Sequence, residues 1–132
     1  MENQYKKLQT PQGLFVYADF PKIEHIRKIF EAGSIYLQQG NENWGAKHII
    51  RFHSREFSGQ SVEEFVQDIV RSGTPVHCEF EGMDEQQKIL VVNSRRGTAV
   101  LRWVAQQGGG FYTVVTAFAR KHSIGERIGK LL

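Results

Sequence analysis

The sequence predicts an α+β fold, with N-terminal helices packed on one face of a four- to five-stranded antiparallel sheet. Three observations predict it. Apolar residues recur at helical spacing in the first half of the chain, at Ile23, Ile26, Ile29 and Phe30 and again at Val62, Phe65, Val66, Ile69 and Val70. After Pro75 the pattern changes to short runs rich in β-branched and aromatic residues, separated by glycine-bearing turns. Helices first and a meander last place the helices together on one side of an antiparallel sheet.

Each element has its own local warrant. Pro11-Gln12-Gly13 reads as a turn and Leu14-Phe15-Val16-Tyr17 as a short strand. Pro21 suits a first helical position, so the spacing from Ile23 to Phe30 predicts a helix that Gly33 stops. Ser34-Ile35-Tyr36-Leu37 reads as a strand ahead of a polar turn at Gly40-Asn41-Glu42-Asn43, and Ala46 to His53 as a short helix. The next helix is the clearest. Ser61 and Glu64 form a capping box, its apolar stripe ends at Gly73, and its other face is acidic. The strands that follow are Val76–Phe80, Lys88–Asn93, Thr98–Ala105 and Phe111–Ala119. Their short connections at Gly82-Met83-Asp84, Arg95-Arg96-Gly97 and Gly108-Gly109-Gly110 predict antiparallel hairpins. The tail from Lys121 to Leu132 is left as a small basic helix or a loose end.

At 132 residues the chain has the size of one domain, 1–132, with enough length to bury a core. No apolar run reaches the roughly 18 residues of a membrane span, and no membrane partner is expected. Met1-Glu2-Asn3-Gln4-Tyr5-Lys6-Lys7 lacks the apolar centre of a signal peptide, so export is expected to depend on something outside this sequence. The single cysteine, Cys78, excludes an internal disulfide framework and a multi-cysteine zinc site; in its strand it reads as a buried, inert thiol. Net charge is only +3, but it is unevenly spread. From Glu56 to Glu85 a single base, Arg71, stands among eight acids, whereas from Arg95 onward seven lysines and arginines face only Glu126. A polyanion would approach the later region.

The residues that carry chemistry cluster in two places. Gly45-Ala46-Lys47-His48-Ile49-Ile50-Arg51-Phe52-His53 holds two histidines and an arginine, and Phe111-Tyr112-Thr113-Val114-Val115-Thr116-Ala117-Phe118 brings hydroxyls on a strand. Cleaving RNA without a metal requires a base for the ribose 2′-hydroxyl, an acid for the departing 5′-oxygen and a donor for the charged phosphorane. Imidazole fills either of the first two roles, and arginine offers a fork of donors for phosphate. His48 and Arg51, three apart, would share a helical face. His48 and His53, five apart, are turned by roughly 140° on a continuous helix and meet in one cleft only at its edges or if the helix ends near Phe52. Strand alternation puts Tyr112 and Thr116 on one side. No histidine or cysteine spacing supports a metal site, and Gly108-Gly109-Gly110 lacks the lysine and helix of a phosphate-cradling loop. No cofactor is expected. His25 reads as a surface or packing residue and His77 as a strand residue beside acids, while His122, next to Lys121, could reach a phosphate if the tail folds back.

The His48-Ile49-x-x-x-His53 step followed by Val114-Val115-Thr116-Ala117-Phe118 resembles the barnase/EndoU/colicin/RelE-like (BECR-fold) ribonuclease domains, found at the tips of contact-dependent growth inhibition toxins and in phage-associated proteins. The resemblance covers about Ala32 to Lys121. It implies an endoribonuclease toxin in which His48, His53 and Thr116, with Tyr112, line the active site. The product would be a 2′,3′-cyclic phosphate, transfer RNA would be a candidate substrate, and DNA is not expected. It also implies a cognate immunity protein, delivery as part of a larger effector and action in the target-cell cytoplasm. The chain departs from the family motif at Phe52, where an arginine usually precedes the second histidine. The phosphate-holding residue therefore stays open among Arg51, Arg120 and Arg96, with Lys121 as a further RNA contact. A second reading, from a different class, is a non-catalytic phage or effector domain that binds RNA or protein by stacking on Trp44, Trp103, Phe111 and Tyr112.

Overall fold

Among the described residues 44% lie in strands and 17% are helical, so a sheet rather than a helical layer carries the architecture. The structure, a computed structural model, describes residues 3–80, 89–121 and 125–132. The chain opens with five strands: β1 (Lys7–Leu8), β2 (Ala18–Phe20), β3 (Ile23–Glu24), β4 (Ile29–Phe30) and β5 (Gly33–Gln38). Two helices follow, α1 (Gly45–His53) and α2 (Val62–Ile69). The remainder is β6 (Pro75–Glu79), β7 (Ile89–Ser94), β8 (Gly97–Gln106), β9 (Gly109–Phe118) and β10 (Glu126–Lys130).

Eight of the strands form one mixed sheet in the order β1-β5-β9-β8-β7-β6-β10, with β2 also on β5, while β3 and β4 pair with each other. The β5–β9 pairing is parallel and holds only Ile35 to Tyr112 and Tyr36 to Thr113; all other pairs are antiparallel. This corrects the expected α+β layout. The two helices among the described residues lie mid-chain, and the sheet is larger than four or five strands and mixed in direction.

The period of two explains the core. Ile35 and Leu37, Val76 and Cys78, Leu90 and Val92, Ala99 and Leu101, and Tyr112 and Val114 alternate onto one buried face. Ile49 of α1 and Phe65, Val66 and Ile69 of α2 belong to the same cluster. The capping box of α2 forms as its sequence requires: the Glu64 N–H donates to the Ser61 hydroxyl, and the Ser61 N–H to the Glu64 carboxylate, each at 3.1 Å.

Three local expectations are overturned. The stripe from Ile23 to Phe30 is no helix. Ile23 pairs with Phe30 and Glu24 with Ile29, around a turn closed by His25 and Lys28 in both directions. Ile23 and Phe30, seven apart at the ends of a helix-like stripe, serve equally as facing positions in a tight hairpin, and β-branched isoleucines favour the extended form. Ile26 is left 97% exposed at its tip. Leu14–Tyr17 lies outside any strand, the extended segment starting at Ala18. The tail is a strand, β10, paired with β6, and it ends on the buried Leu131. The expected Gly82-Met83-Asp84 turn, Lys88 and His122 lie outside the described residues.

A register shift in the β8–β9 ladder has the largest consequence. Val100 pairs with Thr116 but Leu101 with Val114, so Val115 is an extra residue on β9. The bulge reverses the alternation beyond it: Tyr112 and Val114 share the core face, then Ala117, while Thr116 and Phe118 take the other. Tyr112 and Thr116 therefore do not share a face, contrary to simple alternation.

Replacement of Ile69, fully buried, by alanine is expected to cost about 2–5 kcal/mol in urea unfolding. Ile26→Ser is expected to stay within about 0.5 kcal/mol of the parent. Equal losses would restore the helical reading of residues 23–30.

Candidate active site

The site arises where β9 outruns its parallel neighbour. β5 ends at Gln38, and α1 packs against β9. Two glycines make the turn into α1 possible. Gly40 and Gly45 both have positive φ, +68° and +80°, and a Cβ on Gly40 would stand 2.0 Å from the Trp44 carbonyl oxygen. Ile49 and Ala46 bury the inner side of α1, which leaves its end over the β9 face that carries Thr116 and Phe118.

Here lies a cleft of about 470 Å³ lined by His48, His53, Glu56, Thr116, Phe118 and Arg120. The 140° separation of the two histidines is resolved because α1 stops at His53, whose backbone leaves the helical range at φ −131° and ψ 5°. The two imidazole centroids lie 6.2 Å apart. Phe52 tilts against the His48 ring at 5.0 Å and Phe118 against the His53 ring at 5.8 Å, giving the cleft an apolar frame.

Each ring is held by Nδ1. His48 Nδ1 lies 2.9 Å from the Glu42 carbonyl oxygen. A carbonyl only accepts, so Nδ1 carries the proton and Nε2 keeps its lone pair in the neutral ring. His53 Nδ1 lies 2.5 Å from a Glu56 carboxylate oxygen, and the other oxygen of Glu56 accepts the Ala119 N–H at 2.7 Å. Neither Nε2 has a hydrogen-bond partner among the described residues. Burial alone would raise the Glu56 pKa. The Ala119 N–H bond, the bond and charge of His53, and the charge of Arg120 outweigh it and hold the carboxyl below its ordinary 4.5. Glu56 thus remains an anion behind His53.

Two more groups face the cleft. The Thr116 hydroxyl is shielded from water and has no partner among the described residues. An unpaired hydroxyl in such a place is costly unless something satisfies it. Arg120 follows β9, where the Thr98 hydroxyl donates to its carbonyl oxygen at 2.9 Å and so fixes the backbone below the guanidinium.

The sequence-derived residues separate clearly. His48, His53, Thr116 and Arg120 meet in the cleft. Arg51 does not: it is exposed, ion-paired with Glu42 at 2.5 Å and lies over the Phe52 ring. Tyr112 is buried on the opposite face, stacked on Phe20 at 4.3 Å, with its hydroxyl donating to the Glu31 carbonyl at 2.6 Å. Burial, followed by the Glu31 charge, pushes its phenol far above the usual range. Arg96 sits on the β7–β8 turn, where its charge acts on Asp68, and Lys121 is exposed with its charge acting on His77. Glu56 is the residue that sequence reasoning missed. Its i+3 spacing from His53 was the available signal. Among the described residues no three His, Cys, Asp or Glu side chains converge as a metal-ligating group. Comparison of the chain with protein families, curated proteins and solved structures finds no match.

Because the Glu56 pKa is lower in the folded state, its stabilisation is complete above about pH 4.5 and fades as pH falls through the lowered native value. Glu56→Gln keeps an acceptor for Ala119 but loses the charge. The melting-temperature gap between parent and variant is expected to close as pH falls below about 4.5. A gap that widens below pH 4.5 would contradict the arrangement.

Proposed function

We propose that this chain is an endoribonuclease of the toxin type that cleaves RNA by metal-independent acid–base catalysis. The observation that carries the reading is the pair of imidazoles 6.2 Å apart, each tied back through Nδ1 and each with an unpartnered Nε2, in a cleft that also holds an arginine and an unsatisfied hydroxyl.

The roles follow from what holds each ring. His48, fixed as the Nδ1–H tautomer by a backbone carbonyl, is the base: its Nε2 takes the 2′-hydroxyl proton as the 2′-oxygen attacks phosphorus. His53, backed by the Glu56 carboxylate, is the acid. In the protonated ring Nδ1–H is held by that carboxylate, and Nε2–H protonates the 5′-oxygen as the phosphorus–oxygen bond breaks. Arg120 holds a non-bridging phosphate oxygen, and Thr116 donates to the charge that develops on the phosphorane. The products are a 2′,3′-cyclic phosphate and a 5′-hydroxyl, with one proton moved from the 2′-oxygen to His48 and one from His53 to the leaving oxygen.

The resemblance to BECR-type toxin domains supports the same reading and extends it. Transfer RNA is then the candidate substrate. An acidic immunity protein would be the partner that complements the basic Arg120 side, and delivery within a larger effector would bring the domain to the target-cell cytoplasm.

Purified protein incubated with total bacterial RNA in excess chelator is expected to give discrete fragments ending in cyclic phosphate. His48→Ala and His53→Ala should each lower the rate by about 10²–10⁴ while changing unfolding free energy by no more than about 1 kcal/mol. Intact RNA with the parent protein, or activity that returns only with added zinc or magnesium, would overturn the mechanism.

A further inference from the structure

A second concavity lies at the other end of α1, and it is built unlike the cleft. It is about 520 Å³, lined by Trp44, Trp103, Tyr5, Lys7, Arg102 and neighbours from the β8–β9 hairpin, and no carboxylate lines it. Both tryptophans of the chain line it. Arg102 lies over the Trp44 ring at 5.3 Å, and Lys7 over the Tyr36 ring at 4.0 Å and the Phe111 ring at 5.0 Å. Tyr5 leans on Trp44 with centroids 6.1 Å apart and is itself 63% exposed. The cavity therefore combines aromatic faces with two cations, the pairing that single-stranded nucleic acid requires: rings for bases and positive charge for the backbone.

The walls are fixed in advance. Gln38 donates from its side chain to the Tyr5 carbonyl at 2.8 Å, and the Gln39 and Gly40 N–H groups donate to Lys6 and Gln4 at 2.8 and 2.7 Å. These bonds hold the Tyr5–Lys7 segment against β5. Trp44 is set by its paired bridge to Asn41 and by the close approach of Gly40 and Gly45. Phe111 and Tyr112, by contrast, are buried and offer no stacking face to a ligand.

The position links this cavity to the cleft. Trp44 immediately precedes α1, and the cleft residues His48 and His53 follow it by four and nine positions, about 6 and 13 Å along the axis. On β8, Thr98, Val100 and Arg102 alternate onto the face that carries Thr116 and Phe118. A strand lying along α1 would place its scissile phosphate at the histidines and a base a few nucleotides away at Trp44.

We propose that the Trp44–Arg102 cavity is a nucleobase subsite of the ribonuclease, and that the substrate is single-stranded RNA engaged at two points. The proposal rests on the ribonuclease reading of the cleft, but its test does not require cleavage. The Trp44 ring lies under Arg102 while the Trp103 ring packs against Tyr112, so intrinsic fluorescence reports on the cavity through Trp44. A non-cleavable 2′-O-methyl oligoribonucleotide of about eight residues is expected to quench that fluorescence to saturation, in the parent and equally in His48→Ala. Arg102→Gln, at an exposed position, is expected to weaken Kd about 5-fold or more and to lower its salt dependence; Trp44→Phe should weaken it less, and Trp44→Ala by about 5- to 100-fold. In cleavage assays Trp44→Ala should raise KM for the longer RNA by more than it changes kcat, and raise KM for a dinucleotide by less. Quenching without any RNA cleavage would keep the subsite and remove the catalytic reading. Cleavage with no quenching, or affinity indifferent to both Arg102→Gln and Trp44→Ala, would keep the nuclease and overturn the subsite. That result would leave the cavity to a protein partner.

Discussion

The candidate site depends on one constraint: β9 has a full partner on only one edge. β8 pairs with it over nearly its whole length, whereas β5 contributes two parallel pairs and then stops. Backbone groups past that point need other company, and the Glu56 carboxylate supplies it to the Ala119 N–H. The same carboxylate holds His53, so a single side chain joins the end of α1 to the end of β9. The bulge at Val115 completes the arrangement by turning Thr116 out of the core and toward the imidazoles. Sheet topology, edge satisfaction and the geometry of the cleft are thus consequences of where β5 ends.

The two imidazoles illustrate how neighbours divide labour between identical groups. His48 is held by a neutral carbonyl and His53 by a carboxylate. The first interaction fixes the Nδ1–H tautomer against a backbone oxygen; the second sets a carboxylate against Nδ1. In the proposed mechanism the base and the acid, identical in chemical type, differ by what stands behind each ring. Arg51, two residues before His53, is ion-paired with Glu42, and the cleft instead receives Arg120 from just past the end of β9.

Much of this was legible in the sequence where interactions are local. The Ser61–Glu64 capping box, the α2 stripe and the hairpins around Gly97 and Gly109 are encoded within a few residues, and the structure shows them. His48, His53, Thr116 and Arg120 could be picked by residue type. What was hidden is non-local or a matter of phase. Ile23, Ile26, Ile29 and Phe30 fit a helical stripe and a hairpin alike, and only tertiary packing selects the second. The extra residue at Val115 leaves no mark in composition, yet it separates Tyr112 from Thr116. The bond between Glu56 and Ala119 spans 63 positions, and the pairing of the tail with β6 is equally remote. Such contacts are set by the assembled sheet, and spacing rules do not reach them.

The central claim is that His48 and His53 present their Nε2 atoms to one phosphate. Nitrogen-15 NMR of the histidine rings during titration with a nucleoside 3′-monophosphate tests it most directly. The account predicts that free His48 shows the Nδ1–H tautomer and that the Nε2 resonances of both His48 and His53 move together along one saturable curve, while those of His25 and His77 stay still. Movement of only one of the pair, or an Nε2–H tautomer at His48, would contradict it.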